Sequence, residues 1–199
     1  MNLNIKWRIR RGLELLAGGL AGLGVNPNHL TMAGLILSGV AALSYAHREN
    51  LMAAVFLTLG GLSDALDGAL ARSIGEATKF GGVLDSTMDR IGEALIYTGV
   101  IAGGYCPSIL GLSTLASSYL VSYVRGRGET SGGRGEMEGI EMEGVGIGER
   151  PERLIILIVF TALNMVGFSM VLLTGLSILT VYQRLTHVMK MSRIEGERM

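Results

Sequence analysis

Long apolar stretches recur between short clusters of charge, and their lengths set the first expectation. Residues 28–46, 51–72, 80–104, 107–125, 152–167 and 169–188 each read as a helix that crosses a bilayer. Only Gly167 and Phe168 separate the last two, yet together they are about forty residues, too long for one crossing and enough for two. Ahead of these spans, Ile5, Ile9, Leu13, Leu16 and Leu20 recur at helical spacing beside Lys6, Arg8, Arg10 and Arg11. Residues 1–24 therefore predict a cytoplasmic amphipathic helix lying in the membrane interface, with Trp7 at headgroup depth. A cleaved secretory signal fits less well, because Glu14 interrupts the apolar stretch. The expected fold class is all-α: a polytopic membrane protein with six transmembrane helices over residues 25–190, the interfacial helix before them and a tail over 191–199.

One segment departs from this texture. Residues 126–149 are rich in Gly and Glu and contain EMEGIEMEGVG, which offers little apolar surface to bury. A flexible cytoplasmic loop is expected there.

Composition agrees with a membrane protein. The 199 residues suffice for one bundle, 49% are hydrophobic and only 17% charged, and mean hydropathy is +0.44. Zero formal net charge gives no sign of a nucleic-acid partner, so the placement of charge is what informs. Fifteen of the seventeen Lys and Arg residues fall on the side that holds both termini, Arg90 lies within the third span, and Arg48 alone faces the other way. The positive-inside rule then puts both termini in the cytoplasm. Cys106 is the only cysteine, which excludes an intramolecular disulfide, and His29, His47 and His187 have no zinc-ligand spacing.

Chemistry concentrates in GLSDALDGALARSIGEATKFGGVLDSTMDR, across the second and third spans. Asp64, Asp67, Gly68, Ala71 and Arg72 stand at i, i+3, i+4, i+7 and i+8, on one helix face, and Asp85 and Asp89 share a face of the next helix. A short connection makes these helices antiparallel neighbours, so four carboxylates are expected to converge near the cytoplasmic side. An acid within a span costs roughly 2.5–3.5 kcal/mol, and like charges repel; divalent cations remove both penalties. All-oxygen ligation by Asp suits hard ions such as Mg²⁺, Mn²⁺ or Ca²⁺, and four carboxylates suffice for two ions engaged in phosphoryl transfer. Gly68, Gly81 and Gly82 would let a flat base or sugar approach the backbone, Gly60 and Gly61 would allow close helix packing, and Arg72 is placed to grip a phosphate. Two other readings stay open: helix-end charges paired with Arg72, Lys79 and Arg90, and a cation channel or transporter. Against the channel, the carboxylates lie toward one face and no broken or repeated helices occur.

The spacing D-x2-D-G-x2-A-R-x8-G-x3-D-x3-D, from Asp64 to Asp89, resembles without gap or substitution the motif of the CDP-alcohol phosphotransferase family. The resemblance extends to the six-span topology. It implies an enzyme that moves a phosphatidyl-type group from a CDP-linked lipid to an alcohol and releases CMP. It further implies that Asp64, Asp67, Asp85 and Asp89 ligate metal, with Asp89 also accepting the proton of the attacking hydroxyl. Gly68, Arg72 and Gly81, together with Asp67, belong by the same resemblance to the CDP site, as do Pro27, Asn28 and Thr31 in NPNHLT. A homodimer is implied as well.

Arginines bear on the acceptor. Arg125 and Arg127 follow the fourth span, Arg150 and Arg153 precede the fifth, and Arg184 lies near the end of the sixth. Pro151 suits a first helical turn, so a helix N-terminus and this cluster are expected at one anion, the phosphate of the acceptor. The segments are similar to those of the family branch that accepts inositol phosphate, the phosphatidylinositol-phosphate and archaetidylinositol-phosphate synthases. The Gly/Glu-rich stretch between them is longer and more acidic than that branch leads one to expect. Glycerol 3-phosphate, also a phosphate ester, is the alternative acceptor.

Overall fold

The computed structural model describes residues 3–75, 78–130, 140–142 and 144–196, with the side chains of 3–10 and 193–196 left aside. The side chains of Lys6, Trp7, Arg8, Arg10 and Arg193, as well as Arg134, the first EMEG and Arg198, lie outside what is described. The described residues form seven helices and no strand: α1 (Leu3–Gly22), α2 (Pro27–Ala46), α3 (Asn50–Ser73), α4 (Lys79–Ala102), α5 (Ser108–Glu129), α6 (Arg150–Ala162) and α7 (Val166–Gly196). Of these α2, α3 and α7 are long and apolar enough to cross a membrane. The protein is integral to the membrane.

Differences from expectation cluster in the second half. The break between the last two helices falls at 163–165 rather than at Gly167 and Phe168. This leaves α6 with 13 residues, about 20 Å, short of the roughly 30 Å hydrocarbon layer. Gly167 lies within α7, where a Cβ would collide with the carbonyl of Tyr105, so this glycine serves close packing instead of a turn. Helix α7 also runs on through most of the expected tail. Residues 126–129, expected in the loop, continue α5.

The chain divides into two compact units, Met1–Gly99 and Val100–Met199. In the first, α3 packs against both α1 and α2. Gly34 and Gly60 bring α2 and α3 together, with a Cβ at Gly60 lying 3.7 Å from the Gly34 carbonyl oxygen, and Ser63 Oγ donates to the Leu30 carbonyl at 2.9 Å. Helix α4 approaches α2 through Gly92, beside Ser38, and Gly99, where a Cβ would overlap the backbone of Ala42. Lipid tails supply little drive for helices to associate, so close backbone approach through small residues is what holds such helices together. Helix α1 packs on the C-terminal half of α3: Ala17 is fully buried with Ala69 and Leu70, and Leu13, Leu20 and Ala21 pack around them. Leu16, expected on the apolar face, is 57% exposed. The buried stripe is therefore set by small residues as much as by leucines.

In the second unit α5 packs on α7. Thr114 and Thr174 share a hydroxyl hydrogen bond of 2.7 Å, which satisfies both inside an apolar contact. Phe160 of α6 and Phe168 of α7 stack with ring centroids 5.4 Å apart. Residues 140–142 and 144–149 lie against these helices: Ile140 and Met142 are buried, and the Ile140 N–H donates to the Gly128 carbonyl at 3.1 Å.

Candidate active site

At one end of the first unit, the start of α2, the end of α3 and the start of α4 enclose a cavity of about 320 Å³. Each wall has a local cause. Asn26 accepts the N–H of Asn28 at 2.9 Å and Pro27 occupies the first turn, so the start of α2 is firmly set with its positive dipole end at the cavity. The chain leaves α3 through Gly75, whose φ of +70° is one that side chains with a Cβ rarely adopt. Thr78 then opens α4, its hydroxyl accepting the N–H of Gly81 at 3.0 Å.

Pro27, Asn28, Thr31, Asp67, Gly68, Arg72, Gly81 and Asp85, all singled out in the sequence, line this one cavity. Asn26, Ala71, Thr78 and Gly82 complete it. Asp67 is 5% exposed, and its Oδ2 accepts the Thr31 hydroxyl hydrogen at 2.7 Å. This bond fixes the carboxylate and joins α2 to α3. Arg72 folds back over Gly68, its Nη1 only 3.3 Å from where a Cβ would stand. A side chain at 68 would crowd both the guanidinium and the cavity.

Two of the four aspartates are not on the lining. Asp64 turns toward α2, where a Cβ at Gly34 would collide with its Oδ1. Asp89 lies half-buried one turn beyond Asp85 on α4. Asp64 and Asp85 both stand within electrostatic reach of Asp67. Among the described residues no three carboxylate, His or Cys side chains are gathered tightly enough to enclose one ion. The donor set nevertheless fits a hard divalent cation: it is all oxygen, held on two neighbouring helices, with one member already oriented by Thr31.

Three features here escaped the sequence reading. Thr31 holds Asp67, Gly34 makes room for Asp64, and Glu93 continues the face of Asp85 and Asp89 at i+8. Glu93 is buried and pairs with Arg90 at 3.0 Å. The i, i+4, i+8 spacing was a usable signal for Glu93; nothing in the one-dimensional pattern marks Gly34 among 30 glycines.

The second unit holds the arginines. Arg153 and Arg184 are each 2% exposed. Arg153 donates to the Gly148 carbonyl at 2.7 Å and to Ser118 Oγ at 3.1 Å. Arg184 donates to the carbonyls of Val121, at 2.6 Å, and Val145, at 2.9 Å, and stands 3.4 Å from Glu149. Arg125 pairs with Glu129 at 2.8 Å on the surface, Arg127 is exposed in the last turn of α5, and Arg150 opens α6. Arg125 and Arg153 are both within electrostatic reach of Arg184, so positive charge does gather in this unit.

Asp67 and Asp85 thus share one cavity with Arg72 beside a helix N-terminus, and comparison with known proteins narrows the class. Residues 24–185 match the CDP-alcohol phosphatidyltransferase family. The archaetidylinositol phosphate synthase of Pyrococcus horikoshii is 38% identical, over 94% of this chain and 95% of that one. The corresponding synthase of Methanothermobacter thermautotrophicus is 35% identical, over 90% of each chain. Among solved structures, Mycobacterium tuberculosis phosphatidylinositol phosphate synthase with CDP-DAG bound superposes with a TM-score of 0.73 at 32% identity, covering 89% of this chain and 94% of that one. The same mycobacterial enzyme in complex with manganese and citrate gives 0.72 at 31%, over 88% of each. This chain belongs to the CDP-alcohol phosphatidyltransferase family and is an enzyme.

Proposed function

We propose that this protein transfers a phosphatidyl-type group from a CDP-linked lipid, CDP-diacylglycerol or CDP-archaeol, to a hydroxyl of inositol phosphate, with CMP as the leaving group. The observation that carries the reading is the single cavity that unites the α2 N-terminus with Asp67, Gly68, Arg72, Gly81 and Asp85. Names borne by the relatives support the acceptor: they are synthases of archaetidylinositol phosphate and phosphatidylinositol phosphate.

In this reading the cytidine and its phosphates lie along Pro27, Asn28 and Thr31, over Gly68 and Gly81, where the backbone is open, and Arg72 binds a phosphate oxygen. Asp64, Asp67, Asp85 and Asp89 would hold two divalent cations, Mg²⁺ or Mn²⁺, and the manganese complex of the mycobacterial enzyme supports an ion of that class. Bound there, such ions neutralise the diphosphate and polarise the phosphoryl group under attack. Thr31 keeps the Asp67 carboxylate in one orientation. Asp89 accepts the proton of the attacking hydroxyl, an effect of about 10²–10⁴-fold in rate. Arg125, Arg127 and Arg150 bind the acceptor's phosphate, while Arg153 and Arg184 add charge from within and hold the chain around them.

Six helices, α2 to α7, cross the membrane in this account, with the short α6 accommodated by local thinning or by flanking residues. Both termini and the active site face the cytoplasm, as the basic residues favour, and the enzyme works as a homodimer. The test is an acceptor panel. Purified protein with CDP-lipid and Mg²⁺ or Mn²⁺ is given inositol phosphate, inositol or glycerol 3-phosphate, and CMP release is followed. Release with inositol phosphate alone is expected; turnover with glycerol 3-phosphate instead would reassign the acceptor, and no release with any acceptor would favour an ion-transport role.

A further inference from the structure

We propose that Thr180 and Gln183 of α7 are positioning residues for the phosphorylated acceptor, acting through the backbone of residues 145–149. The inference rests on the inositol-phosphate reading. Its basis is a strap of chain laid along one face of α7. The N–H of Gly148 donates to Thr180 Oγ1 at 3.0 Å, and the N–H of Ile147 donates to Gln183 Oε1 at 3.2 Å. Next to them, Arg184 takes the Val145 carbonyl at 2.9 Å. Thr180, Gln183 and Arg184 stand at i, i+3 and i+4, so successive turns of one helix face bind successive backbone groups of the strap.

The strap lies tight against α7. Gly146 has φ +103°, and a Cβ there would come within 2.5 Å of Thr180 Cγ2. At Gly148 a Cβ would stand 2.7 Å from both Leu176 Cγ and Thr180 Oγ1. The other end is fixed too: Met142 is fully buried, and its side chain fills the space that a Cβ on Gly128 would need. Glycine in this stretch therefore allows close contact with α7.

Glu149 closes the strap as the N-cap of α6, and Arg150 follows it directly as the first residue of that helix, with Pro151 in its first turn. An arginine that only anchors a helix at the membrane surface has no need of a fixed backbone before it. One that must meet a phosphate does, because binding a pre-set group avoids the entropy of ordering it. Two neutral hydrogen bonds from α7 supply that order without adding charge to the site.

The test separates positioning from mere stability. CMP release by the full-length purified protein is measured with inositol phosphate varied at saturating CDP-lipid, and then with CDP-lipid varied. Thr180→Val, which keeps the shape and loses the hydroxyl, is expected to raise the acceptor KM about five- to tenfold, with the CDP-lipid KM unchanged and kcat within about twofold. Thr180→Ser is expected to behave as the wild type. Gln183→Leu carries the same expectation and decides the matter if the Thr180→Val protein does not fold. An unchanged acceptor KM in the folded variant, or equal losses for both substrates, overturns the positioning role alone. A wild-type enzyme silent with inositol phosphate overturns the acceptor reading and this inference with it.

Discussion

Thr31 and Asp67 are joined by one 2.7 Å hydrogen bond at a carboxylate that is buried. Removing the hydroxyl while keeping the shape isolates that bond. Thr31→Val is expected to lower kcat/KM for the CDP-lipid by about 10- to 100-fold, the range found for groups that orient a metal ligand, whereas Thr31→Ser keeps most of the activity. Steady-state kinetics on both variants checks it, and equal activity would detach Thr31 from the site. Asp89 permits a sharper test. Asp89→Asn, with nearly the same volume, is expected to abolish transfer yet leave the helical circular dichroism and unfolding temperature close to wild type; normal turnover would remove Asp89 from the mechanism. Asp67 and Asp85 were legible as cavity residues because acids inside apolar spans need a reason, and their spacing placed them on matched faces. The Thr31–Asp67 bond was not legible, since it joins residues 36 apart and depends on how α2 and α3 are rotated against each other. Gly34 was invisible for the same reason: only the position of Asp64 shows that a Cβ there would collide. Among the described residues no three carboxylate, His or Cys side chains gather tightly enough to enclose one ion, and like charges oppose closer approach.

Helices α2 to α5 were drawn from hydrophobic length with ends within a few residues of those observed, as long apolar runs are the clearest signal a membrane chain offers. The expected boundary between the last two failed because Gly167 and Phe168 looked like a turn. A glycine marks a turn or a close contact with equal ease, and here it marks contact with the Tyr105 carbonyl. The Gly/Glu-rich stretch misled in a related way. Its composition lacks a hydrophobic run, yet Ile140 and Met142 are buried, and Gly146 and Gly148 permit backbone contact with α7. Such contacts carry no period in the sequence. Glycine contacts also yield a prediction on stability. Gly99→Ala places a methyl group against the backbone of Ala42, which has no rotamer to yield, so α4 must move away from α2. A loss of about 1–3 kcal/mol is expected, read as a lower midpoint of thermal unfolding in detergent. Gly39, with open space around its Cβ position, serves as the control, and Gly39→Ala is expected to leave that midpoint unchanged. Equal effects at both positions would argue against the packing account.

The chain reads as a membrane enzyme whose first unit carries the cavity proposed for the nucleotide-lipid and whose second unit carries the arginines and the strap. The family follows from a match over residues 24–185. Chelation by EDTA is expected to stop CMP release, and Mg²⁺ or Mn²⁺ to restore it, since four carboxylates in an apolar setting imply a bound divalent charge. The most direct measurement is the mass of the lipid product formed by purified protein from a CDP-lipid and inositol phosphate. A lipid heavier than its parent phosphatidic acid, or archaetidic acid, by one inositol phosphate less one water is predicted, formed in equal amount with CMP. A product carrying glycerol phosphate when both acceptors are supplied, or no new lipid at all, would contradict the account.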